Sequence, residues 1–315
     1  MKALFTAAGS IGTRHIKNLQ AVCSEKNIPL SVDVVRNSSR ILPDDLKKII
    51  RNEIFGQNGF DGFDDFYDMI FITDETSTHY DNIMKYKHKG GSMFIEKPIF
   101  DTCEYSIGDI VPTTVKDSYY VACPIRFSKY YDIIKKAVME NKVYSARIIF
   151  SSYMPNWQKG RDYRKSFRCF NERGGGVDID SLHEIDYMVS LFGMPQTVHR
   201  VSGHYSNLEM EACDLATYLF SYSDKVIEMH LDYFGQTNNR RIELFTENDV
   251  IVIDFNKHSY EKQKAGTCEF WDEDNLFYLN EMRYFVDLCL SEGRMTNINP
   301  PFQAFQALKL AKGFV

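Results

Sequence analysis

The sequence predicts an α/β protein in two parts, an N-terminal doubly wound parallel sheet followed by an α+β part with a mostly antiparallel sheet. Three observations predict it. The first third alternates short apolar runs with stretches of helical spacing, the mark of a parallel sheet with crossover helices. AlaAlaGlySerIleGly, residues 7–12, falls where the first apolar run meets the first helical stretch. After about residue 122 the rhythm changes to runs of alternating character separated by turn signals. The 315 residues are enough for two domains, and the change of rhythm sets them at 1–121 and 122–315.

In chain order, LysAlaLeuPheThr (2–6) is a strand and 13–22 a helix, with Ile11, Ile16 and Leu19 on one side. Pro29 punctuates, and 30–35 is the second strand. Asp44 to Ile54 is expected as a helix, 67–73 as the third strand and 81–87 as a helix. The fourth and fifth strands are 91–95 and 119–123. In the second part, 130–141 is a helix and 144–153 a long strand. A polar, Arg-rich loop leads to three glycines at 174–176 and a helix at 181–192. Five strands are expected between 197 and 255, and helices at 274–291 and 302–313 end the sequence.

Composition narrows the function classes. Apolar content of 44% and charged content of 25% are those of an ordinary soluble globular protein. No apolar run approaches a membrane span, and the apolar stretch at the start is too short for a signal. A net charge of -6 argues against a nucleic-acid surface. Seven cysteines occur as singles without metal-type spacing, as expected of reduced thiols in the cytoplasm.

The turn at 7–12 is GxGxxG with Ala7 in place of the first glycine. Gly9 lets backbone approach a pyrophosphate, Gly12 lets helix pack on strand, and the helix start at Ser10 and Ile11 attracts the anion. In this context the turn reads as the nucleotide turn of a Rossmann fold, which implies NAD or NADP; the same residues also fit a tight strand–helix turn with no ligand. The second strand ends ValArgAsnSerSerArg, 35–40, so Arg36 stands where an acid would hold the ribose of NAD. Arg36, with Ser38, Ser39 and Arg40 beside it, suits a 2′-phosphate and hence NADP. Asp33 serves the ribose instead if the strand ends earlier, and Arg36 and Arg40 also fit a solvated loop.

Two further stretches stand out. PheIleGluLysPro, 94–98, ends a buried strand on two opposite charges, with Pro98 forbidding its continuation. In an open parallel sheet, ligands sit at the carboxyl ends of strands. Ser181 and Glu184 have the spacing of a capping box, which puts His183 in a first helical turn, where neutral imidazole is favoured. Asp180 and Asp186 lie three residues to either side. HisGluIleAspTyr is not HExxH, so no metal is expected.

These residues together resemble the Gfo/Idh/MocA oxidoreductases, which include glucose–fructose oxidoreductase and inositol dehydrogenase. The resemblance runs along nearly the whole chain: the nucleotide turn, IlePheIleThrAspGluThrSerThrHis at 70–79, GluLysPro at 96–98, AlaCysProIleArgPhe at 122–127 and GlyGlyGlyValAspIleAspSerLeuHisGluIleAsp at 174–186. Asp74 and Glu75 depart from the family's ThrAsnPro-like pattern. Residues 152–166 further resemble a subgroup found with sugar modification for surface polysaccharides. The resemblance implies that Lys97 reaches the nicotinamide and the reacting carbon, and that Glu96 holds backbone or ribose groups. It implies cofactor contacts for Thr73 and His79, and a peptide bond before Pro98 that is often cis. A lysine beside an oxidised ring and shielded from water has a lowered pKa, which suits proton exchange with a sugar hydroxyl. His183 is implied to pair with Lys97 across the substrate, with Asp180 in support.

The loop at 153–168 carries Tyr153, Trp157, Arg161, Tyr163, Arg164 and Arg168. Aromatics stack on sugar faces and arginines clamp phosphate or carboxylate, which points to an anionic or nucleotide-linked sugar. The same loop fits a subunit contact equally well. Arg126 fits the cleft or a structural ion pair. The activity expected is an NAD(P)-dependent dehydrogenase or reductase on a secondary alcohol of a sugar, assembled as a homodimer or homotetramer. Two other readings are a cofactor-retaining glycosidase or isomerase, and a non-catalytic sugar or NAD(P) sensor on the same fold.

Overall fold

The structure is a computed structural model that describes residues 1–36, 41–56, 66–157, 160–264, 266–270 and 275–315. The chain divides into two compact units. The first comprises Met1–Phe100, Glu104–Ala122 and Tyr278–Phe305, and the second Asp101–Cys103, Cys123–Phe277 and Gln306–Val315.

The first unit is built on six parallel strands: β1 (Lys2–Phe5), β2 (Ser31–Arg36), β3 (Ile50–Phe55), β4 (Tyr67–Ile72), β5 (Gly90–Ile95) and β6 (Tyr119–Val121). Their order is β3-β2-β1-β4-β5-β6, the doubly wound order of dinucleotide-binding sheets. Helices α1 (Ser10–Glu25), α2 (Asp44–Lys47) and α3 (His79–Tyr86) lie in the connections. The runs of β1, β4 and β5 are almost wholly buried, as expected of strands covered on both faces.

Two features differ from the sequence expectation. The helix expected over 44–54 stops at Lys47, and Ile50–Phe55 is a strand paired with β2. Leu46, Ile50 and Ile54 are spaced four apart, which fits a helix as well as a strand. The free edge of β2 decides the matter by offering a backbone ladder. The chain also returns to the first unit after residue 277, across the expected boundary at 121/122. The cause is the apolar side of α7 (Leu276–Leu290). Its Phe285 ring stands edge-on to Phe71 at 5.5 Å and to Phe94 at 5.2 Å. Arg283 adds a two-pronged pair to Glu25 of α1, and Glu281 accepts from the Tyr120 hydroxyl.

The second unit is an eight-stranded sheet with helices on one face. Its strands are β7 (Val143–Tyr153), β8 (Thr197–Gly203), β9 (Leu215–Ser221), β10 (Val226–Asp232), β11 (Phe234–Thr246), β12 (Val250–Asp254), β13 (Ser259–Lys262) and β14 (Gly266–Glu269), in the order β14-β13-β12-β11-β7-β10-β9-β8. All neighbours are antiparallel except β7 and β10, which run parallel. β13 and β14 were not expected from the sequence. Ala146, Ile148, Ile227, Met229, Ile242 and Leu244 fill the buried face, against Ile134 of α4 (Lys129–Glu140) and Ile185 and Met188 of α6 (Leu182–Phe192). A short helix, α5 (Val177–Asp180), precedes α6, and α8 (Pro301–Ala311) runs toward the end of the chain.

Candidate functional site

In the first unit the nucleotide turn is set by close packing. A Cβ on Gly12 would sit 2.2 Å from the Ala7 carbonyl oxygen, so only glycine lets α1 start against β1. Gly9 caps α1 with no side chain, and a Cβ there would meet nothing within 4 Å. The exposed turn at Gly9 and Ser10 therefore leaves room for a ligand at a helix start, and these residues fit a pyrophosphate. Thr73, just past β4, donates its hydroxyl to the Ala7 carbonyl at 2.8 Å and its N–H to the Thr6 hydroxyl at 3.0 Å. Those bonds tie the carboxyl ends of β1 and β4 together.

Arg36 ends β2, but its guanidinium is occupied. It pairs with Glu53 of β3, lies 5.5 Å from the Phe55 ring centroid, and is buried. Asp33 is not at the strand end either. It is wholly buried in mid-strand and accepts from Arg51, Asn52 and Tyr67. Ser38, with Ser39 and Arg40, lies outside the described residues.

The GluLysPro turn leaves β5 at the carboxyl edge of the sheet and is held from inside. Glu96 is buried, meets the Nε2 of wholly buried His15 at 2.5 Å, and accepts from the Lys97 N–H at 3.1 Å. Burial opposes ionisation of Glu96, yet the His15 hydrogen bond and the charges of His15, Lys97 and His79 hold its carboxyl below the ordinary range. His79, also buried, donates from Nδ1 to the Pro98 carbonyl at 2.9 Å. The Lys97–Pro98 peptide is cis. Glu96 and His79 thus brace the turn that carries Lys97, whose side chain is half-buried. Asp74 lies beside this turn, its carboxyl raised by burial against the bonds from Thr6 and Asn82.

In the second unit the expected site residues separate into two groups. Arg126 forms a buried two-pronged pair with Asp186, at 2.8 and 2.7 Å. Arg164 is exposed and bound to Asp162 and Glu209, and Tyr163 accepts from the Glu209 N–H. Arg161 is exposed in the same loop. The other group is connected. Trp157 donates to Ser152 at 3.0 Å and stands edge-on to Tyr233 at 5.2 Å and to Phe150 at 6.4 Å. Tyr153 ends β7 beside them. Arg168 reaches the Asp180 carboxylate at 2.7 Å, where the Tyr233 hydroxyl also donates at 3.1 Å. His183 stands edge-on to Phe150 at 5.7 Å.

Behind His183 lies a pair the sequence reading missed. Glu184 is wholly buried, its Oε1 2.6 Å from Arg240 and 3.1 Å from His183 Nε2. Burial would raise this carboxyl, but Arg240 foremost, then His183 and Tyr187, bring it down to about 2. The Arg240 guanidinium packs 4.9 Å from the Phe255 centroid and 5.5 Å from Phe150. An ionised carboxylate at that distance favours the proton on His183 Nε2 and leaves Nδ1 as the acceptor. The capping box is not made: Ser181 forms no side-chain cap bond, because α5 runs almost directly into α6. The glycine run also serves the chain itself, since a Cβ on Gly175 would sit 2.5 Å from the Arg168 carbonyl oxygen. The sequence signals for Glu184 were its position next to His183 and its capping-box spacing from Ser181, whose side chain makes no cap bond; nothing local pointed to Arg240.

Among the described residues no group of three or more His, Cys, Asp or Glu is arranged to hold a metal, and no helix is long and apolar enough to cross a membrane. No protein-family model matches the chain, and no curated protein matches it. Solved structures do. The WlbA dehydrogenase from Bordetella pertussis, in complex with NADH and UDP-GlcNAcA, is similar at TM-score 0.76 and 14% identity, over 99% of this chain and 94% of that one. The myo-inositol 2-dehydrogenase from Lactobacillus plantarum is similar at TM-score 0.77 and 16% identity, over 99% and 95%. GenD2 from gentamicin A biosynthesis, in complex with NAD, is similar at TM-score 0.79 and 16% identity, over 100% and 93%. The likeness shows that the chain has the fold implied by its resemblance to the Gfo/Idh/MocA oxidoreductases.

Proposed function

We propose that the chain is a nicotinamide-dinucleotide-dependent dehydrogenase or reductase acting on a secondary alcohol or ketone of a sugar or nucleotide-linked sugar. The observation that carries this reading is Lys97. It leaves the carboxyl end of a central strand in a sheet of dinucleotide-binding order, on a turn braced by His15, Glu96 and His79. The solved structures of the same fold with NADH or NAD bound support the cofactor class. The NADP expectation rested on Arg36, and the engagement of that guanidinium by Glu53 supports NAD instead. Seven free thiols suit a reducing, cytoplasmic setting.

Gly9, Ser10 and the start of α1 would hold the pyrophosphate, and Lys97 would lie toward the nicotinamide. When bound, that ring accepts or donates a hydride. Lys97 takes or returns the hydroxyl proton at Nζ. Within the second unit, His183 would offer Nδ1 to a sugar hydroxyl, with Nε2 kept protonated by Glu184. Trp157 and Phe150 offer apolar faces beside His183 for the sugar ring.

A thermal-shift panel of NADH, NADPH and nucleotide sugars identifies ligands, because binding to the native state raises its melting point. With a substrate in hand, Lys97→Met should keep cofactor binding and lower turnover by roughly a hundredfold or more. Turnover by Lys97→Met at the wild-type rate would refute the proposal.

A further inference from the structure

We propose that Glu53 selects the cofactor by withholding Arg36 from a 2′-phosphate, so that this chain discriminates against NADP through a residue on the third strand rather than an acid ending the second. The inference rests on the dinucleotide reading above. In this sheet order the adenosine ribose is read at the carboxyl end of β2, where Arg36 stands. An arginine there ordinarily welcomes a 2′-phosphate. Here the register pairs Val34 with Glu53 and Arg36 with Phe55. Directly paired residues of parallel strands point to the same face, so Arg36, Phe55 and Glu53 share one. Glu53 lies two residues upstream of the residue facing Arg36. To meet it, the Arg36 side chain folds back along the sheet instead of reaching past its edge. Only 7% of that side chain is exposed, and its guanidinium also packs against the Phe55 ring. Asp33, Arg51, Asn52 and Tyr67 form a separate buried set with their own bonds.

A 2′-phosphate arriving at this edge meets two costs. Arg36 must give up its pair with Glu53, a partly exposed carboxylate, and leave that charge without its partner. The freed carboxylate then lies close to the phosphate, and the like charges repel. The free 2′-hydroxyl of NAD imposes neither cost. Glu53 thereby does the work of an acid at the end of β2.

The test is equilibrium binding of NADH and NADPH to the full chain, followed by cofactor fluorescence. Wild type should bind NADH more tightly. Glu53→Gln removes the charge but keeps the shape, and should raise the NADPH-to-NADH affinity ratio by roughly ten- to a hundredfold, the scale of hydrogen bonds to a charged group. Glu53→Gln combined with Arg36→Ser should return the ratio toward the wild-type value. NADH binding with a ratio unchanged by Glu53→Gln would overturn the inference alone, as would a wild-type preference for NADPH. If Glu53→Gln fails to fold, Arg36→Ser decides: it should leave the ratio within about threefold of wild type, and a larger loss of NADPH affinity overturns the inference. Binding of neither cofactor to the wild-type chain would overturn the dinucleotide reading and this inference with it.

Discussion

Replacing Arg240 with Met tests whether Glu184 is ionised inside the second unit. The carboxyl is wholly buried and is held at about 2, against an ordinary value of 4.5. A depression of that size corresponds to about 3 kcal/mol of native-state stability at neutral pH. Removing one partner of a buried pair costs about 3–5 kcal/mol by the same physics, because the remaining charge is left without compensation. Methionine keeps much of the packing against Phe150 and Phe255, so the charge is what changes. The folded value lies below the unfolded one, so the stabilisation is fully present above about pH 4.5 and is lost as pH falls toward 2. In Arg240→Met only burial and weaker partners act on Glu184, its carboxyl moves up, and it takes up a proton in the native state. The deficit against wild type should therefore be about 3 kcal/mol at pH 7 and clearly smaller at pH 4. Urea unfolding followed by tryptophan emission reads this, since Trp157 lies in the same unit and touches Phe150. Adding Glu184→Gln to Arg240→Met should restore much of the loss. A deficit under about 0.5 kcal/mol at pH 7, the range of a surface change, would refute the argument, as would a deficit that does not shrink at pH 4.

Gly12→Ala should lower the melting temperature and abolish NADH binding, at a cost of about 2 kcal/mol, since its Cβ meets backbone rather than a flexible side chain; calorimetry with and without NADH checks both effects. His15→Ala should strip Glu96 of its nearest partner and cost about 3 kcal/mol at pH 7. The Glu96 carboxyl is depressed in the native state, so this deficit too should diminish as pH falls below the ordinary 4.5, which urea titrations at pH 7 and 4 would show. His183→Ala should raise KM and lower kcat together on a sugar substrate identified by the thermal-shift panel, whereas a structural histidine would change stability alone.

Much of the first unit was legible because its signals are local. Buried runs, the glycine that must let helix meet strand, and a proline closing a strand are properties of a few consecutive residues, and β1, β2, β4, β5 and β6 followed from them. They also put Lys97 on a turn at the carboxyl edge of the sheet. What the side chains at those places do was settled by residues distant in sequence. The free edge of β2 turned 50–55 into a strand, and that strand brought Glu53 to Arg36. The register of β7 with β11 set Arg240 opposite Phe150, close to Glu184, while Asp186 engaged Arg126. The apolar side of α7 carried residues 278–305 back onto the first sheet. An arginine has the same letter whether it faces a ligand or a buried carboxylate. Desolvation penalises an unpaired charge far more than a local pattern can reveal, so the folded partners decide which charges stay available for chemistry.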